Sequence, residues 1–167
     1  VESMAGRIRK ATGLEITEVD RSADIFVFFA NRAEREQYAE IMELRMGDSP
    51  LVHELREDLG QNVCIAVPFI SKTDPTDTSY VIFIPDEVRG LLRRACIEEE
   101  FGQAFGPAAD FDGARPSIFN DDQEFALMTE HDEMLFRVLY DDRLRPGMTE
   151  EEAMPLVRQI VAELRPE

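Results

Sequence analysis

The residues best suited to chemistry lie in one short run, Glu99-Glu100-Phe101-Gly102-Gln103-Ala104-Phe105-Gly106. Its carboxylates and amide fall on a predicted helix that stops at Gly106-Pro107, a pair that cannot easily continue a helix. Positions i and i+4 of a helix share a face, so Glu99 and Gln103 point the same way. Two histidines at that spacing would share a zinc ion, with an adjacent glutamate to activate the metal-bound water. This chain has two histidines, His53 and His131, and neither is in the run. A three-histidine zinc site therefore cannot be assembled from it.

The remaining candidates are weaker. His53 and Glu57 stand four apart, but Arg56 beside them opposes a cation. His131 sits in Thr-Glu-His-Asp-Glu, on what reads as a solvated helix face, and Ser117 reads as a structural hydrogen-bond donor in a turn. Neither has a partner in sequence that would make it a catalyst. Cys96 reads as a buried or bridged thiol, inert as a nucleophile. The only other cysteine is Cys64, so two free buried thiols and one disulfide are both open. There is no glycine-rich phosphate loop and no basic patch with interleaved aromatics.

These residues must be held by a domain of modest size. The chain has 167 residues, 44% hydrophobic and 32% charged, which suits one globular domain over 1–167 with a real core. Its 35 acidic and 18 basic residues give a net charge of −17, a surface that repels phosphate backbones and anionic lipid. Nucleic acid is therefore excluded as a partner. The longest apolar run, Ile25–Ala30, is far short of the ~18 residues of a membrane span.

Patterning predicts a short helix over Met4–Thr12, a half-buried strand over Leu14–Val19 and a central strand from Ile25. Asn31 with Glu34 starts a helix that ends near Gly47, and Pro50–Gly60 forms a shorter one. Strands over Asn62–Ile70 and Tyr80–Ile84 flank a polar turn. A long helix covers Asp86–Phe105, and a tight Ser117-Ile118-Phe119-Asn120 turn follows a loop. The next helix places Phe125, Met128, Leu135 and Leu139 inward. Thr149 and Glu152 cap the last one, with Pro155 inside it.

A helix of this kind, closed by glycine and followed by a Ser-Ile-Phe turn, resembles the metzincin class of zinc peptidases. There the helix reads His-Glu-x-Gly-His-Ala-x-Gly, a third histidine follows, and a Ser-Ile-Met turn lies under the metal. The resemblance puts Glu99 and Gln103 at the two helix-histidine positions and Glu100 at the catalytic glutamate. Ala109 falls at the third histidine, with Asp110 beside it, and Phe119 replaces the methionine. It implies an α+β, zincin-like single domain with a twisted mixed sheet, a long helix over the site, a Met-turn-like turn and C-terminal helices. It also implies a first strand upstream of Val1.

A second resemblance covers about Ile8 to Leu164. The runs Cys96–Gly106, Pro116–Asp122 and Leu144–Thr149 are similar to the bacterial family known as domain of unknown function 2927. That likeness implies an exported or lipid-anchored proteobacterial protein, at the envelope or in the periplasm, and with it a Cys64–Cys96 disulfide. The favoured expectation is a non-catalytic descendant of a peptidase scaffold, needing no cofactor, that binds an extended peptide or envelope protein. Glu99, Gln103, Asp110, Ser117 and Asn120 are its candidate binding residues. The alternative is a hydrolase with Glu100 as general base, and with Glu99, Gln103 and Asp110 as oxygen ligands for calcium, magnesium or manganese or around a bare water. A third expectation is an interaction module whose acidic surface docks a basic partner.

Overall fold

The computed structural model describes residues 1–56, 64–71, 73, 78–120 and 124–165, without the side chains of 46, 50, 51 and 54. Its strands are β1 (Ile25–Ala30), β2 (Ile65–Ile70) and β3 (Thr78–Pro85). Its helices are α1 (Glu2–Thr12), α2 (Arg32–Met46), α3 (Pro50–Arg56), α4 (Gly90–Gln103), α5 (Glu130–Leu139) and α6 (Glu150–Leu164). The fold is α+β, with a small mixed sheet in the order β1-β3-β2; β1 runs parallel to β3 and β2 antiparallel.

Strand side chains alternate between faces, and here both faces are covered. Ile25, Val27, Ala66, Ile82 and Ile84 pack toward Met4, Ile8, Cys96 and Phe101 of α1 and α4. Phe28, Ile65, Val81 and Phe83 pack toward Tyr38, Ala39, Val52 and Leu55 of α2 and α3. Tyr38 fits between Phe28 and Phe83, with ring centroids 5.3 and 5.1 Å away. β3 is the strand buried on both sides, which is why Ile82-Phe83-Ile84 reads as an unbroken apolar run.

Local signals place several elements correctly. Asn31 and Glu34 form a reciprocal capping box at the start of α2, as Thr149 and Glu152 do at α6. Pro155 is accommodated inside a continuous α6, exposed to solvent.

Other expectations are corrected. Leu14–Val19 is not a strand: a strand needs a neighbour for its backbone groups, and this segment is instead tied to α1 by the Arg9 guanidinium on the Ile16 carbonyl at 2.7 Å. β1 is an edge of the sheet among the described residues, with Phe26 and Phe29 exposed, and β3 takes the centre. α4 starts at Gly90 rather than Asp86, after a turn in which Gly90 itself adopts φ +64°. α5 starts at Glu130, so Phe125 and Met128 precede it, and Leu139 is exposed rather than inward. The expected helix and strand ends over 57–63, and most of the polar turn after Ser71, lie outside the described residues.

The two cysteines form a disulfide, with Cα atoms 5.7 Å apart. It ties the residue before β2 to the middle of α4. That link and the α4 packing fix the sheet's β2 side against the helix carrying the candidate residues.

Candidate functional site

α4 is covered on most of its circumference from Cys96 onward, whereas Leu91, Leu92 and Arg94 in its first turns are exposed. Cys96, Glu98, Glu100, Phe101 and Gly102 are all buried, and three successive glutamates on such a helix cannot all reach solvent. Glu99 and Gln103, one turn apart, share the face that stays half-buried. Glu100 stands one turn beyond the bridged Cys96 on the same face of the helix and is buried.

The helix ends in a turn through Gly106, whose φ of +127° is a conformation that L side chains rarely adopt. The loop beyond it returns toward α4: the Gln103 side-chain amide donates to the Asp110 carboxylate at 3.2 Å. The structure therefore brings together Gln103 and Asp110 of the candidates from sequence. Below the end of α4, the Tyr140 hydroxyl donates to the Phe105 carbonyl at 3.0 Å. Burial first, and then the neighbouring Tyr80, push the Tyr140 hydroxyl above its ordinary pKa.

Ser117 and Asn120 occupy a different environment. Both are almost fully buried, at 1% and 2% exposure, and their side chains serve the protein's own backbone and acids. The Ser117 hydroxyl donates to Asp132 at 2.5 Å and accepts the Phe119 amide at 3.0 Å. The Asn120 amide donates to the Asp112 carbonyl at 2.8 Å.

The histidines stand apart from this region's open face. His53 is exposed and pairs with Asp48 at 2.8 Å. His131 is half-buried rather than solvated, with Nδ1 at 3.1 Å from the Pro116 carbonyl, an arrangement that uses the Nδ1–H tautomer. Among the described residues, no group of three or more His, Cys, Asp or Glu side chains converges in a way that could hold a metal ion.

Sequence reasoning missed two buried acids. Asp132, fully buried, also accepts the backbone amides of Ile118 at 3.3 Å and Thr129 at 2.7 Å. Glu98 accepts the Met128 amide at 2.6 Å, and Arg7 of α1 lies 4.0 Å from it. Arg7 in turn donates to Glu133 at 2.8 Å and to the Met128 carbonyl at 2.7 Å, knotting α1, α4 and α5 together. The Thr129-x-x-Asp132 spacing is itself a capping signal, legible had the helix been started there.

The arrangement defines an α+β domain with a solvent-facing polar pair at the end of a buried helix. The chain belongs to the family described as protein of unknown function DUF2927, which matches residues 1–159. No curated protein and no solved structure matches it. No described helix is long and apolar enough to cross a membrane.

Proposed function

We propose that this chain is an exported, non-catalytic domain of metzincin-like ancestry that holds an extended peptide or envelope protein beside α4. The observation that carries the reading is the composition of α4's open face. Where a zinc peptidase has two histidines, this helix has Glu99 and Gln103, and Gln103 is engaged with Asp110.

The topology supports the ancestry. A parallel strand pair is bordered by an antiparallel strand, a helix crosses the sheet, and a Ser-Ile-Phe turn places Phe119 against that helix. The disulfide supports export, because such bonds persist mainly in oxidising compartments.

Peptide capture by strand addition would use backbone groups that point away from β3. The Tyr80 amide donates to the carbonyl of Asp24, the residue before β1, so the residues of β3 whose backbone groups face β2 are Ser79, Val81 and Phe83. Their partners are Phe69, Val67 and Ile65, which leaves Ala66, Pro68 and Ile70 directed outward. Pro68 has no N–H, so a peptide along β2 would find an acceptor but no donor at the middle position.

The test combines two measurements on chelator-free, untagged protein: metal content by mass spectrometry, and binding to a library of extended peptides. The reading expects no stoichiometric metal, and saturable peptide binding weakened by changes at Gln103 and Asp110. Stoichiometric metal, or peptide cleavage abolished by Glu100→Gln, would overturn it in favour of the hydrolase. Binding only to basic peptides, collapsing with added salt, would favour the acidic docking module instead.

A further inference from the structure

The exposed Gln103–Asp110 contact at the end of α4 and the buried acid on α5 are joined by a short series of contacts. Asp132 is fully buried, and its carboxylate gathers the Ser117 hydroxyl and the amides of Ile118 and Thr129. The Thr129 hydroxyl lies 2.8 Å from both the Asp132 carboxylate and the Pro116 carbonyl, and its single hydrogen can go to either of these two acceptors. One carboxylate thus fixes where the Ser-Ile-Phe turn sits relative to α5.

The turn passes that position on by two routes. The Phe119 ring packs against Gly102 of α4, so closely that a Cβ at Gly102 would stand 3.0 Å from it. The Phe119 carbonyl accepts the Phe111 amide at 2.9 Å, and Asn120 donates to the Asp112 carbonyl at 2.8 Å. Those two bonds fall on the two residues that follow Asp110 and hang its loop from the turn. Asp110 then meets Gln103, the neighbour of Gly102 on the helix. An exposed amide–carboxylate contact contributes little by itself, and the bonds at the adjoining Phe111 and Asp112 help to set its geometry.

We infer that Asp132 is a positioning residue for the Gln103–Asp110 pair, acting through the Ser117 turn. It touches neither residue of the pair and never meets a bound partner. Its part in binding rests on the reading of α4 given above, but the geometric coupling does not, so the two can fail separately.

The test is a nitrogen–proton NMR spectrum of the folded chain, read at the Gln103 side-chain amide and the Phe111 backbone amide. Asp132→Asn exchanges one acceptor oxygen for a donor facing donors, and Ser117→Ala removes the hydroxyl link. Both variants are expected to move the Gln103 and Phe111 signals. Glu133→Gln, on the same helix but bonded to Arg7, is expected to leave them in place. A native-state spectrum does not respond to a loss of global stability alone, so a merely structural Asp132 would shift only its contacts at residues 117–119 and 129. That outcome, with Gln103 and Phe111 unmoved, refutes the inference. Should Asp132→Asn fail to fold, Ser117→Ala decides the matter. Peptide binding, measured on the same variants, tests the functional reading independently.

Discussion

Two polar groups lie on opposite sides of Phe119 and obey different rules. On the α5 side, Asp132 and Ser117 are buried and saturated with short hydrogen bonds from the chain itself. On the α4 side, Glu99 and Gln103 are half-buried and Asp110 is exposed. The first group has the character of a fastener: a buried acid is tolerated only when its acceptors are filled. The second retains contact with solvent, where a partner's groups can exchange with water at low cost. The contrast teaches that the most strongly bonded polar residues here mark the support of the candidate site, and the less constrained ones the site itself.

The sharpest way to break the comparison is Asp132→Ala. It strands the Ser117 hydroxyl and two backbone amides, and buried donors left without an acceptor cost about 1–3 kcal/mol each. We expect a loss of about 4 kcal/mol or more in chemical denaturation, enough to unfold a marginal domain. A loss below about 1 kcal/mol would mean that the turn is not held by Asp132.

The α4 side is secured covalently instead. Replacing Cys64 and Cys96 with alanine removes a link across 32 residues, which chain entropy values at about 3–4 kcal/mol. Unfolding of oxidised and cysteine-free protein measures this. Hydrogen exchange should locate the loosening at β2 and the Cys96 turn of α4, leaving the amides of Ile118 and Thr129 protected. Equal loosening at both places would dissolve the distinction between the regions.

Gly102→Ala probes the seam between them. A methyl there meets Phe119 at 3.0 Å and Met4 at 3.2 Å, and both of those side chains are almost fully buried. Overpacking of this kind costs about 1–3 kcal/mol. Thermal melts should show the drop, reduced by trimming Phe119 to leucine in the same chain. No rescue by that second change would place the strain elsewhere.

How much of this was legible in sequence follows the range of each interaction. The capping boxes at Asn31 and Thr149 are local in sequence, and both form in the structure. The pairing of β2 with β3 followed from two apolar runs about a turn. The disulfide came from family likeness, since two cysteines alone leave the pairing open. Glu98 was unreadable because its burial depends on Met128, 30 residues away. The cap that Asp132 makes with Thr129 is hidden in sequence because the apolar spacing of Phe125 and Met128 extends the helical pattern past its true start. Leu14–Val19 alternates as a strand does, yet alternation cannot supply the neighbour a strand requires. The site was legible as a pattern of residue types on α4; the contact of Gln103 with Asp110 needed the loop's path.

The smallest expected effect is the one that separates stability from function. Asp110 is exposed, and its carboxylate accepts the Gln103 side-chain amide at 3.2 Å. Surface substitutions in such places usually change stability by less than about 0.5 kcal/mol. Asp110→Asn should therefore melt with the parent chain while weakening capture of an extended peptide, because it changes the charge and hydrogen-bonding pattern beside Gln103. Denaturation and peptide titration on the same preparation check both halves. If Asp110→Asn destabilises as Asp132→Ala does, the open side is structural too. Unchanged stability with unchanged binding would move the peptide away from α4 altogether. Only unchanged stability with weakened binding preserves the division between the buried acid and the exposed one.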